Sequence, residues 1–149
     1  MRLRLTVQRV SRARGLPGAA SITDWTRAAL AGSGPGAAEV TVRLVDEAES
    51  ADLNKRFRGK RGATNVLSFT YDLPHGKGGL AGDMVICAPV VQREAAQQGK
   101  RPRAHWAHMV VHGILHLRGF DHVRETDAKT MEAMEIRILR RLGFSDPYA

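Results

Sequence analysis

Eleven residues, His112-Gly-Ile-Leu-His116-Leu-Arg-Gly119-Phe-Asp-His122, constrain this chain more than any other stretch. The pattern is H-x3-H-x2-G-x2-H. On a helix, His112 and His116 lie four apart on one face, one turn above the other, so their imidazoles can converge on a point. Gly119 can take the left-handed backbone that ends a helix and turns the chain sharply. That turn can carry His122 back to the same point. Three imidazoles with a fourth position left open form the ligand set of a catalytic zinc site, not of a closed structural one. The alternative is a helix with incidental histidines, and the glycine where the turn needs it counts against that.

The helix motif of zinc proteases is H-E-x-x-H, in which the Glu is the general base. Its place here is Gly113. The histidine and glycine spacing matches metzincin proteases, but the proton-handling carboxylate is missing from the motif. A peptidase of the usual kind is therefore disfavoured.

The 149 residues are enough for one domain with a real core, and we read residues 1–149 as a single domain. No apolar run approaches the ~20 residues that cross a bilayer. The N-terminus is basic and alternating, without an apolar signal core. Cys87 is the only cysteine, so no internal disulfide forms. These features predict a soluble, cytoplasmic protein. Cys87 lies in the apolar run from Met84 and reads as a buried strand residue, not a metal ligand. The net charge of +8 comes from 23 Lys and Arg against 15 Asp and Glu. Such an excess suits a polyanionic partner such as RNA, or it serves solubility alone. Its concentration at Lys55, Arg56, Arg58, Lys60 and Arg61 favours the partner.

Leu3, Leu5 and Val7 alternate with polar residues and predict a first strand. Arg9 to Gly18 is a basic loop. A helix over Ser21–Leu30, with Ser21 as N-cap, follows. Gly32 to Gly36 is a short flexible connection. Val40, Val42 and Leu44 predict a second strand. Asp46 can cap a helix to about Phe57, with Ala48, Ala51 and Leu53 facing inward. Thr64–Phe69 and Asp83–Cys87 read as strands. Pro89 and Gly99 bracket a helix. The histidine helix runs from about Arg103 to Arg118, with Trp106, Met109, Val110, Gly113, Ile114 and Leu117 as its packed face. A last helix starts near Thr126, carries Met131, Met134, Ile138 and Leu142 as core, and closes at Gly143. Interleaved strands and helices imply one α/β or α+β layer structure, with the histidine helix on a small sheet.

From about Val40 to the C-terminus the sequence resembles the YbeY family of bacterial endoribonucleases. The resemblance rests on Leu53-Asn54, Arg58-Gly59, Thr64-Asn-Val-Leu-Ser-Phe69, Gly82-Asp83, the histidine motif and the tail Leu142-Gly-Phe-x-Asp-Pro-Tyr148. It implies a zincin-like α+β fold with a mixed sheet and zinc on His112, His116 and His122. It implies a single-strand-specific endoribonuclease that acts in small-subunit (16S) ribosomal RNA 3'-end maturation and ribosome quality control. Arg58 matches the family's functional arginine near the metal. Family partners include the Era GTPase and a small-subunit ribosomal protein. The chain departs from the family pattern at Arg61-Gly62-Ala63, at Thr70 and at Arg118.

Zinc on three histidines lowers the pKa of its bound water from about 16 to about 7. A phosphodiester can then be attacked at neutral pH without a strong protein base, which makes Gly113 tolerable. Arg58 is the candidate cation for the reacting phosphate, because a guanidinium fork binds two oxygens. Lys55, Arg56, Lys60 and Arg61 are candidate RNA contacts. His108, one turn before His112, reads as a packed or exposed helix histidine, since a fourth His ligand would close the site. Asp121 either orients a histidine ligand or caps the following turn, Asp83 is structural, and His75 lies in a Gly-rich loop that either covers the cleft as a lid or is simply mobile. Two rivals remain: a zinc peptidase or amidase, and a non-catalytic RNA-binding assembly factor whose metal only holds the fold.

Overall fold

A computed structural model describes residues 2–34, 36–71, 79–120 and 124–149. The elements run β1 (Arg2–Arg9), α1 (Ala19–Leu30), β2 (Ala37–Val45), α2 (Glu47–Arg58), β3 (Val66–Tyr71), β4 (Leu80–Cys87), α3 (Ala88–Gln97), α4 (Pro102–Leu117) and α5 (Glu125–Arg141). The strands form one sheet in the order β1-β2-β4-β3. β1, β2 and β4 are parallel, and β3 is an antiparallel edge. The fold is α+β with a small mixed sheet and the histidine helix α4 laid on it.

Strand alternation divides the core. Val40, Val42, Leu44, Val66, Met84 and Ile86 pack with Trp106, Val110, Ile114 and Leu115 of α4 and with Ile22, Trp25 and Ala29 of α1. On the opposite face Val45, Leu67 and Val85 meet Leu53 of α2 and Phe69. Helix α2 covers only that end of the face. Arg4, Thr6, Glu39, Thr41 and Asp83 continue the face as polar positions, the pattern of a sheet that meets water on one side. Cys87 is buried at the end of β4, as expected. Among the described residues no helix is long and apolar enough to cross a membrane.

Several expected boundaries move for local reasons. Helix α1 begins at Ala19, with Gly18 as N-cap, so Ser21 lies inside the first turn and does not cap it. Asp46 occupies the N-cap position of α2 without making a side-chain cap. Its carboxylate instead accepts from the Ser11 hydroxyl and the Arg12 N–H, tying down the basic loop. The fully buried residues of α2 are Ser50 and Asn54; Leu53 is half-buried and packs inward as expected, Ala51 is half-buried, and Ala48 is exposed. Ser50 both donates to the Thr64 carbonyl and accepts from the Thr64 N–H, each at 3.0 Å. Asn54 donates to the Gly62 carbonyl at 2.9 Å. Thr64 therefore spends its backbone groups on α2, and β3 starts only at Val66.

Arg118 ties α4 to α1. Its guanidinium donates to the Ala29 carbonyl at 2.8 Å, one of the carbonyls that the end of α1 leaves open. It also lies 5.4 Å over the Phe120 ring. Burial lowers its pKa.

Gly113 faces the sheet. A Cβ built there would fall inside the Met84 sulfur and 3.3 Å from a methyl of Val66. Both neighbours are buried, and Ser68 donates to the Gly113 carbonyl at 3.2 Å. Position 113 thus belongs to the packed face of α4, where a side chain would meet Met84 and Val66. Gly113→Glu is expected to destabilise the fold by about 3 kcal/mol or more, from overpacking plus an unpaired buried charge. For a chain of this size that is a fall of roughly 10 °C in melting temperature. A wild-type melting curve for that variant would show that α4 does not rest on Met84.

Candidate metal centre

Helix α4 is the centre of the molecule, with eleven of its sixteen residues buried. Any polar side chain on its inner surface must therefore find a partner inside the protein. Four histidines, His105, His108, His112 and His116, run up one stripe at spacings of three and four. Each answers the demand differently.

His105 is buried, and its Nε2 lies 2.9 Å from a Glu94 carboxylate oxygen. Burial depresses its pKa, and the bond to Glu94 offsets only part of that. The Glu94 carboxylate also accepts from the Asn65 side-chain amide at 3.3 Å to each oxygen. This cluster joins α3, α4 and the entry to β3.

His108 and His112 share a different carboxylate. Glu135 of α5 is 1% exposed. Its Oε2 lies 2.6 Å from His108 Nε2 and 3.3 Å from His112 Nδ1. Its Oε1 accepts from the Tyr148 hydroxyl at 2.8 Å, which brings the C-terminal tail over the cluster. Burial alone would raise the Glu135 pKa. Hydrogen bonds from His108 and His112, with the charge those rings carry when protonated, outweigh it and hold the carboxyl at about 2. The same burial pushes the Tyr148 phenol up, and neighbouring Glu135 adds to the shift.

His112 continues the chain at its other nitrogen. Its Nε2 stands 3.1 Å from His116 Nε2, and the two rings are 4.6 Å apart at 79°. So His112 turns one nitrogen to a buried carboxylate and the other to a second imidazole. Glu135 sits on the Nδ1 side, away from the space between His112 and His116. His108, His112 and Glu135 offer donor atoms all within 4.8 Å of one another, a group that could hold a metal ion.

The stripe expected from spacing is present, and His112 and His116 are brought together. His122, Asp121 and His75 lie outside the described residues. Arg58 is the last residue of α2, followed by Gly59 in the left-handed conformation (φ 65°) that ends the helix. Lys55, Arg56, Arg58, Lys60 and Arg61 are all exposed. Among the described residues no hydrogen bond or ion pair joins Arg58 to the histidine stripe, and α2 packs on the other face of the sheet. His108, expected as a packed or exposed helix histidine, is buried and is one of the three residues that could hold a metal ion. Asp83 accepts from the Tyr71 hydroxyl across the β3–β4 pair, a structural contact.

Sequence reasoning missed Glu135 and Tyr148. A signal for Glu135 was present: it lies four residues after Met131 and three before Ile138, inside an apolar stripe. A carboxylate on a core-facing stripe is rarely buried without a partner.

The fold is α+β, and its central helix sets two imidazole nitrogens side by side with a buried carboxylate behind one of them, a group that could hold a metal ion. The family model described as "Endoribonuclease YbeY" matches residues 19–143. An "Endoribonuclease YbeY" of Methylococcus capsulatus is 55% identical over 145 residues, 97% of this chain and 94% of its own. One of Aromatoleum aromaticum is 54% identical over 152 residues, 99% of this chain and 94% of its own. The chain belongs to the endoribonuclease YbeY family. The solution structure of a Thermotoga maritima protein has the same fold, with a TM-score of 0.59 at 22% identity, over 92% of this chain and 89% of that one.

Proposed function

We propose that this chain, as one domain, is a zinc-dependent endoribonuclease that cuts single-stranded RNA. His112, His116 and His122 would hold the metal, and Arg58 would meet the reacting phosphate. The observation that carries the metal assignment is the 3.1 Å separation of His112 Nε2 and His116 Nε2. Two nitrogens on one tetrahedral zinc at about 2.05 Å stand roughly 3.3 Å apart, so the pair fits one ion with little adjustment. The 2.6 Å between His108 and Glu135 is too close for two ligands of one tetrahedral ion and suits a charge-assisted hydrogen bond. We therefore read Glu135 as the carboxylate behind a ligand and His108 as its second support. When bound, zinc supplies Lewis acidity toward a phosphoryl oxygen and acidifies a water ligand.

The chain's own residues divide the remaining work. Glu135 accepts the Nδ1 proton of His112, fixing the tautomer that leaves Nε2 free to donate its lone pair. Tyr148 and His108 hold Glu135 in place. The exposed cations at 55–61 attract the RNA backbone. Small-subunit ribosomal RNA, at its maturing 3' end and in quality control, is the proposed substrate in a cytoplasmic setting. The Era GTPase and a small-subunit ribosomal protein are the proposed partners. The family membership supports these choices. The direct test is zinc analysis with cleavage assays on single-stranded RNA, duplex RNA and casein. Metal-dependent cutting of the single strand alone is expected, and casein cleavage would favour the peptidase rival.

Glu135→Gln tests the carboxylate. It keeps the shape but cannot accept the proton of His112 as a charge. Zinc affinity is expected to fall by about 10- to 100-fold, the usual cost of losing such a partner. Competition with a chromophoric chelator measures it. Total loss of metal on Glu135→Gln, with His116→Ala retaining it, would make Glu135 a ligand instead.

A further inference from the structure

Two large rings stand in the open, one of them inside the basic segment. Phe57, in the last turn of α2, is 62% exposed, and Tyr71 at the end of β3 is 55% exposed. Phe57 meets Phe69 edge to face, with centroids 5.1 Å apart and planes at 66°. Phe69 and Tyr71 are two residues apart on β3, so both rings project from the same face of an edge strand. Tyr71 is held there by its hydroxyl, which donates to Asp83. Phe57 leans on Phe69 and leaves most of its surface to solvent.

The surroundings of Phe57 select among partners. Lys55, Arg56, Arg58, Lys60 and Arg61 lie within four residues of it in sequence, and all are exposed. Among the described residues Arg56 pairs only with Asp52, at 3.7 Å and well exposed on both sides. An apolar contact for another protein would not be set in a run of five cations. An exposed aromatic ring in a run of cations is how single-stranded nucleic acid is held: cations track the phosphates while the ring stacks on an unpaired base. A base inside a duplex offers no free face for such stacking, so the feature also discriminates strandedness.

We propose that Phe57, braced by Phe69 and extended by Tyr71, is a stacking platform for an unpaired base of the RNA. It would favour single strands over duplex. The inference rests on the proposed RNA substrate and deepens it.

The test is equilibrium binding of a short single-stranded oligoribonucleotide to the full chain across a salt series. The probes are the intact oligonucleotide and one carrying abasic positions. Phe57→Leu keeps an apolar contact with Phe69 but removes the ring, and is expected to weaken binding by about tenfold, the order of one lost base–aromatic stack. Its salt slope should stay at the wild-type value, because no phosphate contact is lost. Phe57→Trp should bind at least as well as wild type. The loss caused by abasic positions should shrink in Phe57→Leu, as it would if ring and base touch each other. Wild-type affinity in Phe57→Leu, or an undiminished abasic penalty, overturns the platform while leaving the endoribonuclease reading intact. Absence of RNA binding by the wild-type chain overturns that reading itself. Melting curves of both variants identify any loss due to unfolding, and Phe57→Trp then decides: weakened binding by a folded Phe57→Trp counts against the platform.

Discussion

His116→Ala is expected to lose tight zinc binding and RNA cleavage together. His116 supplies one of the two imidazole nitrogens that stand 3.1 Å apart, and alanine leaves His112 without its neighbour. Zinc on the folded chain also adds stability by mass action, about 4 kcal/mol when free metal exceeds its Kd a thousandfold. A chelator should therefore lower the melting temperature of the wild-type chain and leave that of His116→Ala nearly unchanged. The informative partner is His108→Gln. Glutamine still offers Glu135 a donor, and in the proposed arrangement it leaves both His112 and His116 at the metal. It should retain close to one zinc per chain. If His108→Gln loses its metal while His116→Ala keeps it, the ion belongs to His108, His112 and Glu135.

The second large effect is expected at Arg58. Arg58→Ala should keep its zinc and most of its RNA affinity, yet cleave more slowly by roughly 10²–10³-fold, the usual cost of removing one group that stabilises transition-state charge. Lys60→Ala and Arg61→Ala should instead weaken binding modestly and flatten its salt dependence, as lost phosphate contacts do. Single-turnover cleavage at saturating enzyme separates the two behaviours, because binding defects vanish there. Arg58 ends α2, and Gly59 after it has the positive φ that turns the chain out of the helix. A wild-type single-turnover rate in Arg58→Ala would reduce it to one more phosphate contact.

Much of the site was legible in the chain because its information is local. Residues four apart share a helix face whatever surrounds the helix, so His112 and His116 could be paired from their spacing alone. The strands at Leu3, Val40 and Met84 were equally visible, since alternation records which side of a strand meets the core. Local backbone preference was less decisive at the ends of elements. Ser21 and Asp46 are both good capping residues, yet neither caps. The Asp46 carboxylate finds Ser11 and Arg12, thirty-five and thirty-four residues away in the chain, and that competition cannot be read in a window of four.

The sequence by itself determined the helix that carries the imidazoles, the α+β order of elements, the basic segment at the end of α2 and the missing base at Gly113. Tertiary structure alone decided what stands behind those imidazoles. Glu135 reaches His108 and His112 from twenty-seven and twenty-three residues further along the chain, and Tyr148 closes over it from the tail. It also decided that Gly113 must stay bare, because Met84 of β4 occupies the space a side chain would need. The reason in both cases is packing. A helix buried on most of its surface must satisfy each polar group with whatever element folding lays against it. That choice is made by the docking of α5 and the sheet onto α4, not by the residues of α4.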